Sequence, residues 1–125
     1  MSQAKAQWIK ENLKAGEIYA GIILSKDGAP DQHLILLPGQ ANDVSFADAG
    51  KWAKKAGGEL PTRREQSLLF ANCKDLFDQR AYWSSEQHSA DPVYAWFQTF
   101  YVGSQGSYPK SDELRARAVR RLIIE

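Results

Sequence analysis

The residues of this chain that could perform chemistry are few and lie far apart in the sequence. A catalytic base or a zinc site usually needs histidine among other converging groups, but His33 opens an apolar run and His88 lies in a polar segment. The segment Ser84-Ser85-Glu86 places hydroxyls beside a carboxylate, yet it lacks the Gly-x-Ser-x-Gly turn of serine hydrolases. We therefore predict a protein that has no catalytic centre, no metal site and no cofactor.

The chain has a single cysteine, Cys73, which limits the redox and metal chemistry available to it. One thiol cannot form an internal disulfide, and a metal site would need further ligands beside it. The first eight residues contain no apolar run of signal-peptide length, and no stretch approaches the roughly 20 apolar residues of a membrane span. We expect a protein of the cytoplasm, or of a virion if the gene belongs to a phage, with no membrane partner.

The composition is typical of one globular domain spanning residues 1–125. Hydrophobic residues make up 43% of the chain and charged residues 25%, and a chain of this length buries roughly two thirds of its unfolded surface. The formal net charge of +1 provides no general attraction to nucleic acid.

The only dense basic run lies near the C-terminus and consists of Arg115, Arg117, Arg120 and Arg121. On a strand, Arg120 would lie on the side opposite to the other three, so the run makes a poor phosphate track. We predict that these arginines pair with acidic residues or stack on aromatic rings, and nucleic acid is disfavoured as a partner.

The first half of the chain predicts two helices and a hairpin. Residues 3–15 favour a helix, and the apolar runs 17–24 and 33–37 predict two strands joined by a turn. Ser45 is a candidate N-cap for the second helix, which Gly57-Gly58 would end.

A third helix is predicted after Thr62, because Thr62 and Glu65 have the spacing of a capping box. The side chains predicted to face the core are Leu68, Leu69, Cys73 and Leu76. Those predicted to face water are Arg63, Arg64 and Lys74.

The last third is predicted to be β-rich, with a strand over Tyr94–Val102, a loop over 103–109 and a closing strand over 116–124. Trp83 and Trp96 are predicted core residues because of their large area. If Trp96 and Phe100 point inward, then Phe97, Thr99 and Tyr101 point outward on the same strand.

Outward-facing aromatic residues beside small polar ones are typical of antibody paratopes. This pattern predicts a ligand surface made by Glu86, Gln87, His88, Phe97, Thr99, Tyr101, Ser104, Gln105, Ser107 and Tyr108. A homo-oligomer interface or a second packed layer is the alternative explanation. We expect the partner to be a protein or a glycan, or a second copy of this chain.

A series of motifs across residues 60–121 resembles a bacterial and phage family of unknown function. The motifs are Leu60-Pro-Thr62 with Glu65, Tyr82-Trp-Ser-Ser85, Ala95-Trp96, Phe100, Gly103 and the run from Arg115 to Arg121. That family has the C-type-lectin-like fold and is related to sulfatase-modifying-factor (formylglycine-generating) domains. The resemblance implies an α+β fold in which two main helices pack on a twisted antiparallel sheet, with a long C-terminal loop region as the ligand surface.

Two departures from these relatives bear on activity. The formylglycine-generating enzymes use cysteine chemistry, whereas Cys73 lies in a predicted amphipathic helix, and the calcium-binding motifs of sugar-binding lectins are missing from this sequence. Some relatives are diversified by retroelements, which change exposed positions near the C-terminus.

The resemblance therefore implies a non-catalytic ligand- or receptor-binding module of phage or prophage origin, in which a retroelement could diversify the variable positions. The alternative is a small intracellular phage effector that binds and inhibits a host protein or nucleoprotein. A third hypothesis, an enzyme of the modifying-factor type, would require a metal or a reactive Cys73.

Overall fold

A computed structural model describes residues 2–125, which adopt a mixed α+β fold with three helices and two sheets. The helices are α1 (Gln3–Asn12), α2 (Phe46–Lys55) and α3 (Arg63–Cys73), and a 3₁₀ turn (Lys74–Leu76) follows α3. The strands are β1 (Ile18–Ile23), β2 (Gln32–Leu36), β3 (Ala41–Val44), β4 (Ala81–Gln87), β5 (Tyr94–Thr99), β6 (Gln105–Pro109), β7 (Leu114–Ala116) and β8 (Val119–Ile123). The predicted α+β class is confirmed, with α1 as a third helix beside the two main ones.

The smaller sheet has the strand order β1-β2-β8 and is antiparallel throughout. The predicted hairpin is confirmed as β1 and β2. Leu34 and Leu36 of β2 pack with Leu69 of α3 in one core cluster, while the ring of Trp8 in α1 lies 4.2 Å from that of His33. The central strand is therefore covered by a helix on each of its faces.

The larger sheet has the order β3-β7-β4-β5-β6, and only its β4–β7 pair is parallel. Trp83 of β4 is fully buried against Ala49 and Ala53 of α2. Its indole N–H donates to the carbonyl of Val44 at 2.9 Å, so burial leaves no polar atom of the ring unpaired. The prediction that Trp83 is a core residue is confirmed.

The predicted helix caps are confirmed at α2 and α3. The Ser45 hydroxyl accepts from the Asp48 amide at 3.3 Å. At α3, the Thr62 hydroxyl accepts from the Glu65 amide at 3.2 Å and the Glu65 carboxylate accepts from the Thr62 amide at 2.8 Å. This reciprocal pair is a capping box, and it fixes where α3 begins.

The predicted inward positions of α3 are correct for Leu69 and Cys73, which are buried, while Leu68 is half-buried. The prediction is wrong for Leu76, which is 45% exposed. The α-helix ends at Cys73, and the tighter 3₁₀ turn that follows rotates Leu76 away from the core.

The C-terminal third contains more strand than predicted. Residues 103–109 were predicted to form a loop, but Gln105–Pro109 is strand β6 at the edge of the larger sheet. The long predicted loop region is thus divided into short connections between strands. Gly103, with φ of 79°, permits the tight turn between β5 and β6, in which its amide donates to the Thr99 carbonyl at 3.1 Å.

The predicted burial along β5 is reversed at Trp96 and Phe97. Phe97 is only 9% exposed and packs in the cluster of Trp83, its cross-strand neighbour, whereas Trp96 is half-buried on the other face. Phe100 is buried as predicted, with its ring stacked 3.9 Å from that of Phe77. Phe100 packs with Leu69 of α3, on the side of the sheet that also carries Trp96. The predicted alternation along β5 is therefore correct, and the error was to leave the opposite face open, because α2 covers it.

Candidate functional site

Six side chains gather on the face of β5 that is turned toward the start of α3. We name this group the Trp96 cluster, and it comprises Arg63, Glu86, His88, Trp96, Gln105 and Ser107. Ser107 belongs to it because it lies directly opposite Trp96 across the β5–β6 pair. Four of the ten predicted contact residues are therefore neighbours in space.

Arg63 is held against the face of the Trp96 ring. Its guanidinium carbon lies 3.6 Å from the ring centroid, and its Nε donates to the side-chain oxygen of Gln105 at 3.0 Å. Gln105 in turn donates to the Arg63 carbonyl at 2.8 Å. These contacts fix Arg63 before any ligand arrives, and its two terminal nitrogens make no hydrogen bond within residues 2–125.

His88 stacks on the same indole, with ring centroids 5.0 Å apart and planes 13° from parallel. Its Nδ1 accepts from the Ala90 amide at 3.1 Å, so the neutral ring carries its proton on Nε2. The His88 amide donates to the Tyr94 carbonyl at 2.9 Å. His88 is thus a positioned, half-buried side chain.

Glu86 joins β4 to the start of α3. Its carboxylate accepts from the Arg63 amide at 2.7 Å, which satisfies one of the free N–H groups of the first helical turn. The Glu86 amide donates to the Ser84 hydroxyl at 3.0 Å, and that hydroxyl donates to the Trp96 carbonyl at 2.9 Å. The Ser84 hydroxyl is thus held by backbone groups on both sides, whereas the exposed hydroxyl of Ser85 makes no hydrogen bond within residues 2–125.

A polar groove of about 720 Å³ opens beside the Trp96 cluster. Its lining residues are Ile23, Gln32, Thr62, Arg63, Arg64, Glu65, Ser67, Glu86, Gln105 and Arg121. Arg121 is already paired with Glu65 and Glu59, at 2.5 Å to each, and these hydrogen bonds raise the pKa of Arg121. Arg63 and Arg64 form no ion pair in the described chain, and Arg64 donates from one terminal nitrogen to the Leu24 carbonyl at 3.0 Å. The groove therefore presents their remaining N–H groups to acceptor oxygens.

The other predicted contact residues lie outside the Trp96 cluster. Phe97 is in the core, and the half-exposed Tyr108 stacks on its ring at 4.5 Å. Thr99 and Ser104 bond to each other across the turn at 3.0 Å, and Tyr101 within that turn is 66% exposed. The exposed Gln87 accepts from the Lys110 ammonium at 2.5 Å. The predicted ligand surface is therefore divided between two faces of the sheet and a turn.

Sequence reasoning missed two members of the cluster, Trp96 and Arg63. Trp96 was assigned to the core because of its size, and Arg63 was assigned to water together with Arg64 and Lys74. Alternation places Trp96 and Phe97 on opposite faces of β5, but it carries no signal for which face a helix leaves partly open. No local signal links Arg63 to Gln105, since the two are 42 residues apart.

The prediction for the C-terminal arginines is confirmed. Arg115 pairs with Asp78, Arg120 pairs with Glu17 at 2.7 Å, and Arg121 is bound as described above. The hydrogen bond from Arg120 lowers the pKa of Glu17, so this pair stays charged at neutral pH. 

Arg117 lacks a carboxylate partner, but its guanidinium donates to the carbonyls of Leu37 and Leu76 at 2.8 and 2.7 Å. It also lies 5.2 Å from the ring of Phe77. The four arginines therefore hold the last strands in place and do not form a continuous basic surface.

The possible reacting groups stay apart in the structure. Burial raises the pKa of the Cys73 thiol, so the unreactive protonated form dominates at neutral pH. His33 bonds to the Tyr19 hydroxyl at 2.8 Å on the smaller sheet, where burial lowers the pKa of its ring. Residues 2–125 contain no group of three or more His, Cys, Asp or Glu side chains arranged to hold a metal ion.

Each helix in the described range falls short of the length and apolar character needed to cross a membrane.

Comparison with known proteins does not assign this chain to a family. No protein-family model matches the sequence, and a search of curated proteins also found no match.

Proposed function

We propose that this chain is a non-catalytic ligand- or receptor-binding module of C-type-lectin-like fold and of phage or prophage origin. It binds a protein or a glycan through the Trp96 cluster and the polar groove beside it. The observation that carries the proposal is the Trp96 ring itself, half-buried and already stacked by Arg63 and His88. The binding surface is therefore ordered before the partner arrives.

The composition of the Trp96 cluster supports a binding role. Tryptophan and arginine dominate the energy of many protein interfaces, where they sit among polar residues that complete hydrogen bonds. Because Gln105 and the stacked ring hold Arg63, little side-chain entropy remains to be lost on binding. The terminal nitrogens of Arg63 and the exposed position of Arg64 favour a ligand that brings carboxylate or other acceptor oxygens into the groove.

The division between scaffold and surface also supports the proposed fold. Several motif residues of the resemblance are buried: Tyr82, Trp83 and Phe100 are core, and Gly103 makes a turn that requires positive φ. The cluster members that are not motif residues, such as His88 and Ser107, are partly exposed. Diversification by a retroelement would alter such positions and leave the buried ones unchanged, since changes there would unfold the protein.

The proposal is tested by partner capture with a matched pair of variants. The wild-type protein is displayed against host lysate and against a glycan array, and the partner that it retains is then offered to Ser107→Lys and Ala71→Lys. Ser107→Lys places a charge opposite Trp96 and should weaken capture at least tenfold. Ala71→Lys adds the same charge on an exposed position of α3 and should leave capture unchanged.

Equal capture by both variants, with both folded, would overturn the assignment of the site. If the retained partner is an intracellular host enzyme whose activity falls on binding, the effector role replaces the receptor-binding role. Turnover of any captured partner by this chain would contradict the non-catalytic assignment.

A further inference from the structure

A second groove, of about 340 Å³, lies between α2, the connection from α2 to α3, and β4. We name it the α2 groove, and its lining residues are Phe46, Ala47, Gly50, Lys51, Lys54, Glu59, Leu60 and Ser85. None of these residues belongs to the Trp96 cluster or lines the polar groove beside it. Its volume falls at the lower end of the range of about 300–1,000 Å³ that is typical of ligand sites.

The floor of the α2 groove is apolar and rigid. The Phe46 ring packs against that of Trp83 with centroids 5.5 Å apart, and Leu60 is buried beneath the groove. Ala47 and Gly50 lie one turn apart on the same side of α2. Because both residues are small, they leave a depression in the surface of the helix. A Cβ added at Gly50 would meet no atom within 4 Å, which leaves open space where other helices carry a side chain.

The rim of the α2 groove is positively charged. Lys51 and Lys54 line it, and the Lys110 ammonium lies 5.6 Å from the Phe46 ring at its floor. These three lysines form no ion pair in residues 2–125. Glu59 is the one carboxylate in the lining, and it is bound to Arg121 at 2.5 Å.

We propose that the α2 groove binds a segment of a partner protein in which a large apolar side chain lies next to aspartate or glutamate. The apolar floor gains free energy when it covers such a side chain, and the unpaired lysines attract the adjacent carboxylates. A basic segment would meet repulsion from the same lysines. This is a second site, independent of the ligand surface proposed around Trp96.

The site is tested with a synthetic peptide, acetyl-Glu-Asp-Phe-Leu-Asp-Glu-amide, titrated into ¹⁵N-labelled protein. Binding should shift the amide resonances of Ala47, Gly50 and Ser85. Two control peptides separate the two parts of the recognition: in one, Phe and Leu are replaced by Ser, and in the other every acidic residue is replaced by Lys. Both controls should bind at least about fivefold more weakly, and equal binding of either one overturns the proposed chemistry.

Matched variants locate the site. Lys51→Glu should weaken peptide binding about fivefold or more, because an exposed ion pair is lost and a repulsion added. Lys55→Glu, an exposed position on the same helix outside the groove lining, should change it less than twofold. Gly50→Leu should fill the groove and abolish binding while keeping the helix, since leucine favours helices more than glycine does.

Undiminished binding by Gly50→Leu would overturn the proposal, as would resonance shifts confined to the Trp96 cluster. Ser107→Lys serves as the cross-control, since it should retain full peptide binding at the α2 groove. Failure of the α2 site therefore leaves the proposed function standing, and failure of the proposed function leaves the α2 site standing.

Discussion

The two faces of β5 differ in what covers them, although their residues alternate along one strand of six residues. On one face, Ala95 and Phe97 are closed in by Trp83 and by the alanines of α2. On the other face, Gln98 is buried while Trp96 lies at the start of α3, where the helix no longer covers the sheet. The comparison teaches that scaffold and surface can be separated by a single residue, because side-chain direction reverses at every step of a strand.

The largest expected effect is on the covered face. Phe97→Ala should lower the free energy of unfolding by about 3–5 kcal/mol, because it leaves a cavity beside Trp83. Denaturation in urea, followed by far-UV circular dichroism, measures this loss. Phe97→Leu, which keeps most of the volume, should cost much less. If Phe97→Ala lowers the free energy of unfolding by less than about 1 kcal/mol, Phe97 is not a core residue and belongs to the predicted ligand surface.

Trp96→Ala should have an intermediate effect on stability, about 2 kcal/mol. It removes a partly buried ring and the cation–π contact with Arg63, but it opens no closed cavity. The same urea titration measures the cost, and capture of the partner measures the effect on binding, which should be lost. Trp96→Phe keeps a flat ring and should recover part of both. A cost equal to that of Phe97→Ala would show that the two faces are equally closed.

Tyr108→Ala should cost about 1 kcal/mol. Tyr108 is 43% exposed, but its ring stacks on Phe97 at 4.5 Å, and such aromatic pairs contribute about 0.5–1.5 kcal/mol. Tyr108→Phe keeps the stack and should be nearly neutral in thermal denaturation. If Tyr108→Ala is neutral as well, the stack does not stabilise the fold and Tyr108 is an exposed side chain available to a partner.

The smallest expected effect is that of Tyr101→Ala, within about 0.5 kcal/mol, since the side chain is 66% exposed at the tip of a turn. Gly103→Ala in the same turn is the contrasting variant. Alanine is strained at the positive φ of this position, and its Cβ would lie 2.8 Å from the Phe70 ring. It should therefore destabilise the protein clearly more than Tyr101→Ala does. Thermal denaturation of the two variants in parallel measures this difference. A Tyr101→Ala protein less stable than the Gly103→Ala protein would contradict the assignment of this turn.

Much of the fold was predictable because its determinants are close in the sequence. The capping box needs only Thr62 and Glu65, three residues apart, and the hairpin of β1 and β2 needs two apolar runs around a turn. The candidate site was predictable only in part: Glu86, His88, Gln105 and Ser107 lie together, but Phe97 does not join them. The position of Phe97 was missed because both faces of β5 are covered by a helix, α2 on the face of Phe97 and α3 on the face of Phe100.

Local sequence was sufficient for the helix caps, for the burial of Trp83 and for the prediction that the C-terminal arginines would be paired. Only the tertiary structure could show which carboxylates they meet, because Arg120 and Glu17 are 103 residues apart. The same holds for Arg63 and Gln105 on the Trp96 cluster. The physical reason is that capping and alternation depend on neighbours within one turn or one strand, whereas coverage of a face depends on where distant elements end.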